Sequence, residues 1–335
     1  MKTKSTLNLS LMFLLVLAVG SFLVLNGGCK KKDEVVAEAE PTPTPPPPSG
    51  SLVFTVGGHL TRLDLKAGSL TPLTTGKSTE WFPACSPAGD QAAYWSNSNS
   101  PDGVYNICRV NLDGTHRTQL TEHDTEALTT PGQNLYLGNA PAWSPDGKHI
   151  AYSNNGDLWE IDSSDDFNNA RTLLLGYNAL SPVYNPKDAS MVFISMGQDN
   201  VFNLYRLNLV DYSVAKLTTY TDWNVGYPSF SEDGKKILFV LFRENVAQIY
   251  TMASDGSGPV QLTTTGVNLC PQFAQKDKKI FYCSSDADNN LVLYSMNSNV
   301  TGAAPMTVSG GPVYGSSPSW AAYVPVVDVP TPVGQ

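Results

Sequence analysis

The chain has 335 residues, a formal net charge of −9, 41% apolar and 15% charged residues. Such an excess of acid over base argues against a nucleic-acid binder, because a phosphate backbone requires a basic footprint. Five cysteines with no CxxC pair argue against the common zinc modules, so neither a metal nor a cofactor is expected.

Lys2 and Lys4 precede an apolar run from Leu7 to Leu25 that ends in Asn26-Gly27-Gly28-Cys29. A basic head, an apolar middle and small residues before a cysteine form one processing unit. Residues 1–28 resemble a bacterial lipoprotein signal peptide, in which the cysteine is acylated, palmitate being a typical chain, and becomes the new N-terminus. That resemblance implies lipidation at Cys29. The run is almost long enough to cross a bilayer, so an uncleaved helical anchor is the alternative; either way the remainder is exported and membrane-tethered. Residues 29–50 read as a linker: Lys30-Lys31-Lys32 is followed by an acidic Ala/Val stretch and by Pro41-Thr42-Pro43-Thr44-Pro45-Pro46-Pro47-Pro48, an extended spacer that builds no core. Lipoproteins kept at the inner membrane tend to carry Asp after the acylated cysteine. Here Lys30 stands in that place, which implies the outer membrane, facing the periplasm.

From Ser51 the sequence turns to strand-like segments, organised around Pro141-Ala142-Trp143-Ser144-Pro145-Asp146-Gly147-Lys148-His149-Ile150-Ala151-Tyr152-Ser153. Pro141 opens a strand, Trp143 offers a large apolar face, Ser144 to Gly147 make a turn, and the alternation after it makes a return strand. Weaker copies begin at Pro83, Pro182, Pro228, Pro271 and Pro318, at intervals of 41 to 58 residues. Internal periods of that size mean a solenoid or a propeller, and two further strand-like segments between anchors give four strands per unit. Ser51-Leu52-Val53-Phe54, His59 to Leu65 and Leu70 to Thr74 are the later strands of a unit without an anchor, whereas Ser317 to Tyr323 is an anchor without a unit. The expectation is therefore an all-β, six-bladed β-propeller over residues 51–323, in which the C-terminal strand completes the first blade, with a tail at 324–335. Closing the ring hides edges that an open array would expose. Residues 122–139, read as a loop, would make seven blades if they held an extra hairpin.

The repeated Pro-Ala-Trp-Ser-Pro-Asp-Gly-Lys-x-Ile-Ala-Tyr-Ser motif, followed by a Tyr-containing strand and Lys/Arg-Leu-Thr, resembles the propeller of the TolB-like family. The resemblance covers 51–323 and implies an envelope protein that binds a protein or peptide without catalysis. The family's additional N-terminal α/β domain is not expected in residues 1–50, which read as leader and linker. The same repeats occur in propellers of prolyl-oligopeptidase-like enzymes, so they identify architecture better than role.

In a propeller, the loops joining blade to blade and those joining second to third strands share one face. The first set contains Trp81, Phe82, Asn139, Tyr177, Asn178, Trp223, Asn224, Tyr227, Asn268 and Tyr314, expected to ring the channel as a binding site. Aromatics beside amides suit a peptide or a glycan, while the same residues also make ordinary turns and channel plugs. Cys270 and Cys283 flank one anchor hairpin and are candidates for a cross-strand disulfide, two free buried thiols being the other reading; Cys85 and Cys108 lie on non-adjacent strands and are expected free. No Gly-x-Ser-x-Gly elbow or phosphate loop occurs, and His59, His116, His123 and His149 have no metal-type spacing. Two functions stay open: a binding scaffold, or a glycan-binding or glycan-active propeller of hydrolase or lyase type, which would need acids or a cation converging on the channel.

Overall fold

The structure, a computed structural model, describes residues 50–98, 103–122, 138–164, 169–274 and 278–322. The leader, Cys29, the linker through 49, residues 123–137 of the long segment and the tail from 323 lie outside the described residues. Those described all belong to one unit, Pro46–Gln335.

Among the described residues, twenty-six strands follow in order. The first blade holds β1 (Gly50–Val56), β2 (His59–Asp64) and β3 (Ser69–Pro72); the second holds β4 (Glu80–Cys85), β5 (Gln91–Ser96), β6 (Asn106–Asn111) and β7 (Thr118–Gln119). The third comprises β8 (Ala142–Trp143), β9 (His149–Asn154), β10 (Asp157–Asp162) and β11 (Arg171–Leu174), and the fourth β12 (Ala179–Tyr184), β13 (Ser190–Met196), β14 (Phe202–Asn208) and β15 (Val214–Lys216). In the fifth are β16 (Asn224–Phe230), β17 (Lys236–Arg243), β18 (Val246–Ala253) and β19 (Val260–Gln261). The sixth has β20 (Asn268–Ala274), β21 (Lys279–Ser285), β22 (Leu291–Asn297) and β23 (Ala304–Pro305). A small hairpin, β24 (Thr307–Val308) with β25 (Gly311–Pro312), precedes β26 (Ser316–Ala322), which pairs antiparallel with β1 and completes the first blade. The molecule is thus a six-bladed propeller of four-stranded antiparallel blades, with chain closure where the two incomplete ends of the repeat predicted it.

One device recurs at the anchors. In five innermost strands the residue before the anchor proline, Phe82, Ser181, Tyr227, Cys270 or Ser317, has φ between 51° and 55°. At each of these sites the strand register slips, so that this residue and its proline together oppose one residue of the neighbouring strand. The opposed residues are Phe54, Tyr94, Phe193, Phe239 and Tyr282, all buried aromatics. Such a bulge bends and twists its strand and re-aims the side chains. Its placement follows from the proline, which cannot donate to a ladder and is tolerated only at an edge or a bulge. In the third blade β8 pairs without a slip, and Tyr152 fills the corresponding aromatic position.

These aromatics sit between blades and supply much of the core, each removing on the order of 150–250 Å² from water. Several stack on the next strand: Phe193 on Tyr205 and Phe239 on Tyr250, both at 5.7 Å, and Tyr282 with Tyr294 at 5.5 Å. Across the closure, Trp320 of β26 stacks on Phe281 of the sixth blade at 5.6 Å.

Candidate functional site

The inner strands β4, β8, β12, β16, β20 and β26 surround an axial cavity of about 400 Å³. All six anchor prolines, Pro83, Pro141, Pro182, Pro228, Pro271 and Pro318, contribute to its wall. The residue after each is Ala84, Ala142, Val183, Ser229, Gln272 or Ser319, which keeps the bore open. The aromatic position beyond adds Trp143, Tyr184, Phe230, Phe273 and Trp320. An inner strand would ordinarily present a free edge to the axis, but a proline carries no N–H there, so the wall cannot template an added strand. Neighbouring blades use up other edge groups. Ser319 Oγ accepts the Cys85 N–H at 2.9 Å, and the Trp143 indole N–H donates to the Ala84 carbonyl at 2.8 Å.

The cavity opens between the turns that follow the anchors, where Pro87, Pro145, Lys187 and Glu232 are exposed and line its rim. Lys187 and Glu232 are the charged residues of the lining, and both stand at that mouth. At the inner end, Phe82, Tyr227 and Gly138 bound it. Gly138 has φ +66° and lies so close to Tyr227 that a Cβ there would come within 2.6 Å of the ring. Asn139 and Gly138 are stitched to two blades. The Trp95 indole donates to the Asn139 carbonyl at 2.7 Å, the Ser181 N–H reaches Asn139 Oδ1 at 3.3 Å, and Ser181 Oγ donates to the Gly138 carbonyl at 2.6 Å.

Of the ten loop residues expected to ring the channel, Phe82 and Tyr227 line the cavity. The other eight sit around the opposite face, beyond its inner end. Trp81 packs on the core of the second and third blades, and Trp223 on the main core. Asn224 Oδ1 accepts the Phe202 N–H at 2.9 Å. Asn268 is buried and donates to Gln248 Oε1 at 3.2 Å and to the Thr265 carbonyl at 2.7 Å, a latch between loops. Asn178 is exposed with φ +48°, and Tyr177 and Tyr314 are exposed on that opposite face. What the sequence reading missed was that the anchor itself forms the wall, with a proline in all six blades and, two positions on, an aromatic in five and Cys85 in the second. The signal was the sixfold repetition of that proline.

Cys270 lines the cavity and Cys283 lies one strand away, with Leu269 rather than Cys270 directly opposite it because of the bulge. All four described cysteines are free thiols in the structure. Burial and a hydrogen bond to Cys270 push the Cys283 thiol well above the usual range. Burial likewise pushes Cys85 and Cys108 up to about 12.

The acids that a glycan-active channel would recruit lie elsewhere. Glu80 is fully buried between the first two blades, accepting from His59 at 2.8 Å, Thr74 at 2.9 Å, Ser78 at 2.6 Å and Arg117 at 2.7 Å. Asp199 and Asp286 cap their own turns, accepting from Val201 at 3.3 Å and from Asp288 and Asn290 at 2.9 and 2.8 Å. Among the described residues no group of three or more His, Cys, Asp or Glu side chains is placed to hold a metal ion.

Comparison with known protein families matches residues 131–326, more than half of the chain, to the family described as TolB beta propeller domain. Among solved structures, TolB from Acinetobacter baumannii is similar at a TM-score of 0.64 and 20% identity, over 82% of this chain and 67% of that one. A putative TolB from Agrobacterium tumefaciens is similar at 0.59 and 18%, over 80% and 90%. Dipeptidyl-peptidase 5 of Porphyromonas gingivalis is 28% identical over 183 residues, 46% of this chain, which spans about a quarter (26%) of that relative's length.

Proposed function

The chain belongs to the TolB beta propeller domain family, and on that premise we propose that it is a non-catalytic scaffold of the bacterial cell envelope that takes an apolar segment of a protein or peptide partner end-on into its axial cavity. The observation that carries this reading is the cavity wall. It is built from prolines, aromatics and small hydroxyl or aliphatic residues, its charges are confined to the mouth, and its volume lies within the range of ligand-binding pockets. A strand-forming ligand finds no ladder there, so recognition rests on apolar contact with a few hydroxyl and amide groups, the chemistry of an inserted loop or chain end. A glycan-active site would call for carboxylates facing one another across the axis, whereas the acid in this lining is Glu232 at the rim.

In the same reading the protein is exported, acylated at Cys29 and held by the 29–50 linker at the outer membrane, facing the periplasm. The support is the sequence of the leader, with Lys2, Lys4, the apolar run and the small residues before Cys29.

The test is to cross-link the full chain in its native envelope and compare it with Ala84→Trp/Val183→Trp, which fills the cavity from two half-buried wall positions. A cross-linked protein that is lost from the filled variant, while its melting temperature holds, supports the reading. If the same partners remain, the cavity is not the site. If a polysaccharide is retained in place of a protein, the glycan reading leads.

A further inference from the structure

The face opposite the cavity mouth carries a feature that the cavity does not use. The antiparallel order of every blade brings the loops between second and third strands, and those between blades, to that face. From the third to the fifth blade these loops are bonded into one arc. Asp157 Oδ1 accepts the Gly176 N–H at 2.7 Å, and Gly156 lies so close to Asn178 that a Cβ would meet its backbone at 3.0 Å. Ser195 Oγ donates to the Tyr177 carbonyl, and the Phe202 N–H is held by Asn224. Tyr177 also rests edge-on against Phe193 at 6.2 Å. The arc is therefore fixed before anything binds, which lowers the cost of ordering it in a complex.

On this rigid arc, apolar side chains stay in water: Leu175 is 64% exposed, Tyr177 39% and Met196 37%. Carboxylates stand among them, Asp157, Asp199 and Asp222. The arc's loops, 154–157, 175–178, 196–201 and 219–224, contain no Lys or Arg. In the adjoining loop of the fifth blade Arg243 stands 4.0 Å from Glu244, so the strip itself keeps its acidic sign. Such a strip selects a partner that is apolar in the middle and basic at its margins, and it disfavours anionic lipid and nucleic acid. We propose that this arc is a second docking surface, taking a basic, apolar-centred protein segment such as an amphipathic helix with Lys or Arg beside its Leu face. The propeller then bridges two partners on opposite faces. This surface stands independently of the cavity reading.

The probe is a synthetic 18-residue amphipathic helix of Leu and Lys, with a Leu and Glu counterpart, titrated by fluorescence anisotropy into the full chain. The Lys peptide is expected to bind and the Glu peptide at least tenfold more weakly. Leu175→Ser, at the most exposed of the three positions, is expected to leave the melting temperature in place and to weaken the Lys peptide several-fold. Asp157→Asn/Asp199→Asn/Asp222→Asn keeps the turn acceptors and is expected to flatten the salt dependence. Equal binding of both peptides, or an affinity unmoved by the Ser variant, overturns the proposal. Ala84→Trp/Val183→Trp is expected to leave this binding intact. Its loss there would assign the peptide to the cavity and equally overturn the arc, without touching the scaffold reading.

Discussion

Ring closure rests on β26, and Trp320 is the residue through which closure can be measured. Its side chain is about 8% exposed and stacks on Phe281 of the neighbouring blade, while its strand pairs with β1. Burying a tryptophan removes on the order of 150–250 Å² from water, which at about 25 cal/mol/Å² is roughly 4–6 kcal/mol. Large-to-small truncations of this kind cost about 3–5 kcal/mol. The Trp320 indole N–H has no acceptor among the described residues, and removing an unpaired buried donor returns on the order of 1 kcal/mol. Trp320→Ala is therefore expected to cost about 3 kcal/mol. In a domain of this size that corresponds to a fall of roughly 6 °C in melting temperature, at the lower end of the usual scaling. Trp320→Phe keeps a ring against Phe281 and deletes the unpaired donor, so it is expected to stay within about 1 kcal/mol of the parent. Differential scanning calorimetry with urea titration reads both. If Trp320→Ala melts with the parent, the closing strand carries little of the ring's stability. If Trp320→Phe falls as far as Trp320→Ala, the packing account of this contact is wrong.

Glu80→Ala removes the acceptor shared by His59, Thr74, Ser78 and Arg117 and leaves a half-buried guanidinium without its partner. A loss of about 3 kcal/mol in urea unfolding is expected, against less than about 1 kcal/mol for His59→Ala; equal small losses would remove the network from the stability of the first two blades. The turn carboxylates of Asp113, Asp146, Asp211, Asp233, Asp255 and Asp286 are held below the usual carboxylate range, by hydrogen bonds from neighbouring Ser or Thr side chains and backbone N–H groups and, at Asp286, by backbone N–H and Asn290 bonds. Because each folded pKa lies below its unfolded value near 3.8, their contribution is present above about pH 4 and is lost as the pH falls through the lowered values. Urea midpoints should thus be level from pH 7 to about 5 and drop below 4, and a flat profile down to pH 3 would contradict this. For the cysteines, differential alkylation of the denatured chain without reductant is expected to find Cys85, Cys108, Cys270 and Cys283 as thiols, with the buried Cys108, Cys270 and Cys283 unmodified until the chain unfolds. A Cys270–Cys283 pair that resists alkylation until it is reduced would assign the cross-strand disulfide instead.

The sequence by itself determined the propeller and its closure and favoured six blades over seven, a choice that the sheet topology settled. A repeated hairpin of proline, aromatic and Ser-Pro-Asp-Gly turn cannot bury its faces alone, and the unit missing at Ser51 is the one left over at Ser317. Local chemistry sufficed there, because turn residues and strand alternation act over a few positions. The candidate site was less legible. Loop composition led to Tyr177, Trp223 and Tyr314, whereas the structure lines the axis with the anchors and places those loops on the other face. The bulge decides this. Its left-handed residue and proline together oppose a single buried aromatic, such as Phe193 or Phe239, and that two-against-one pairing is a relation between strands which no single strand's pattern displays. The floor of the cavity was equally hidden. Gly138 meets Tyr227, a residue nearly ninety positions away, and only the closed ring brings a loop before the third blade onto a side chain of the fifth.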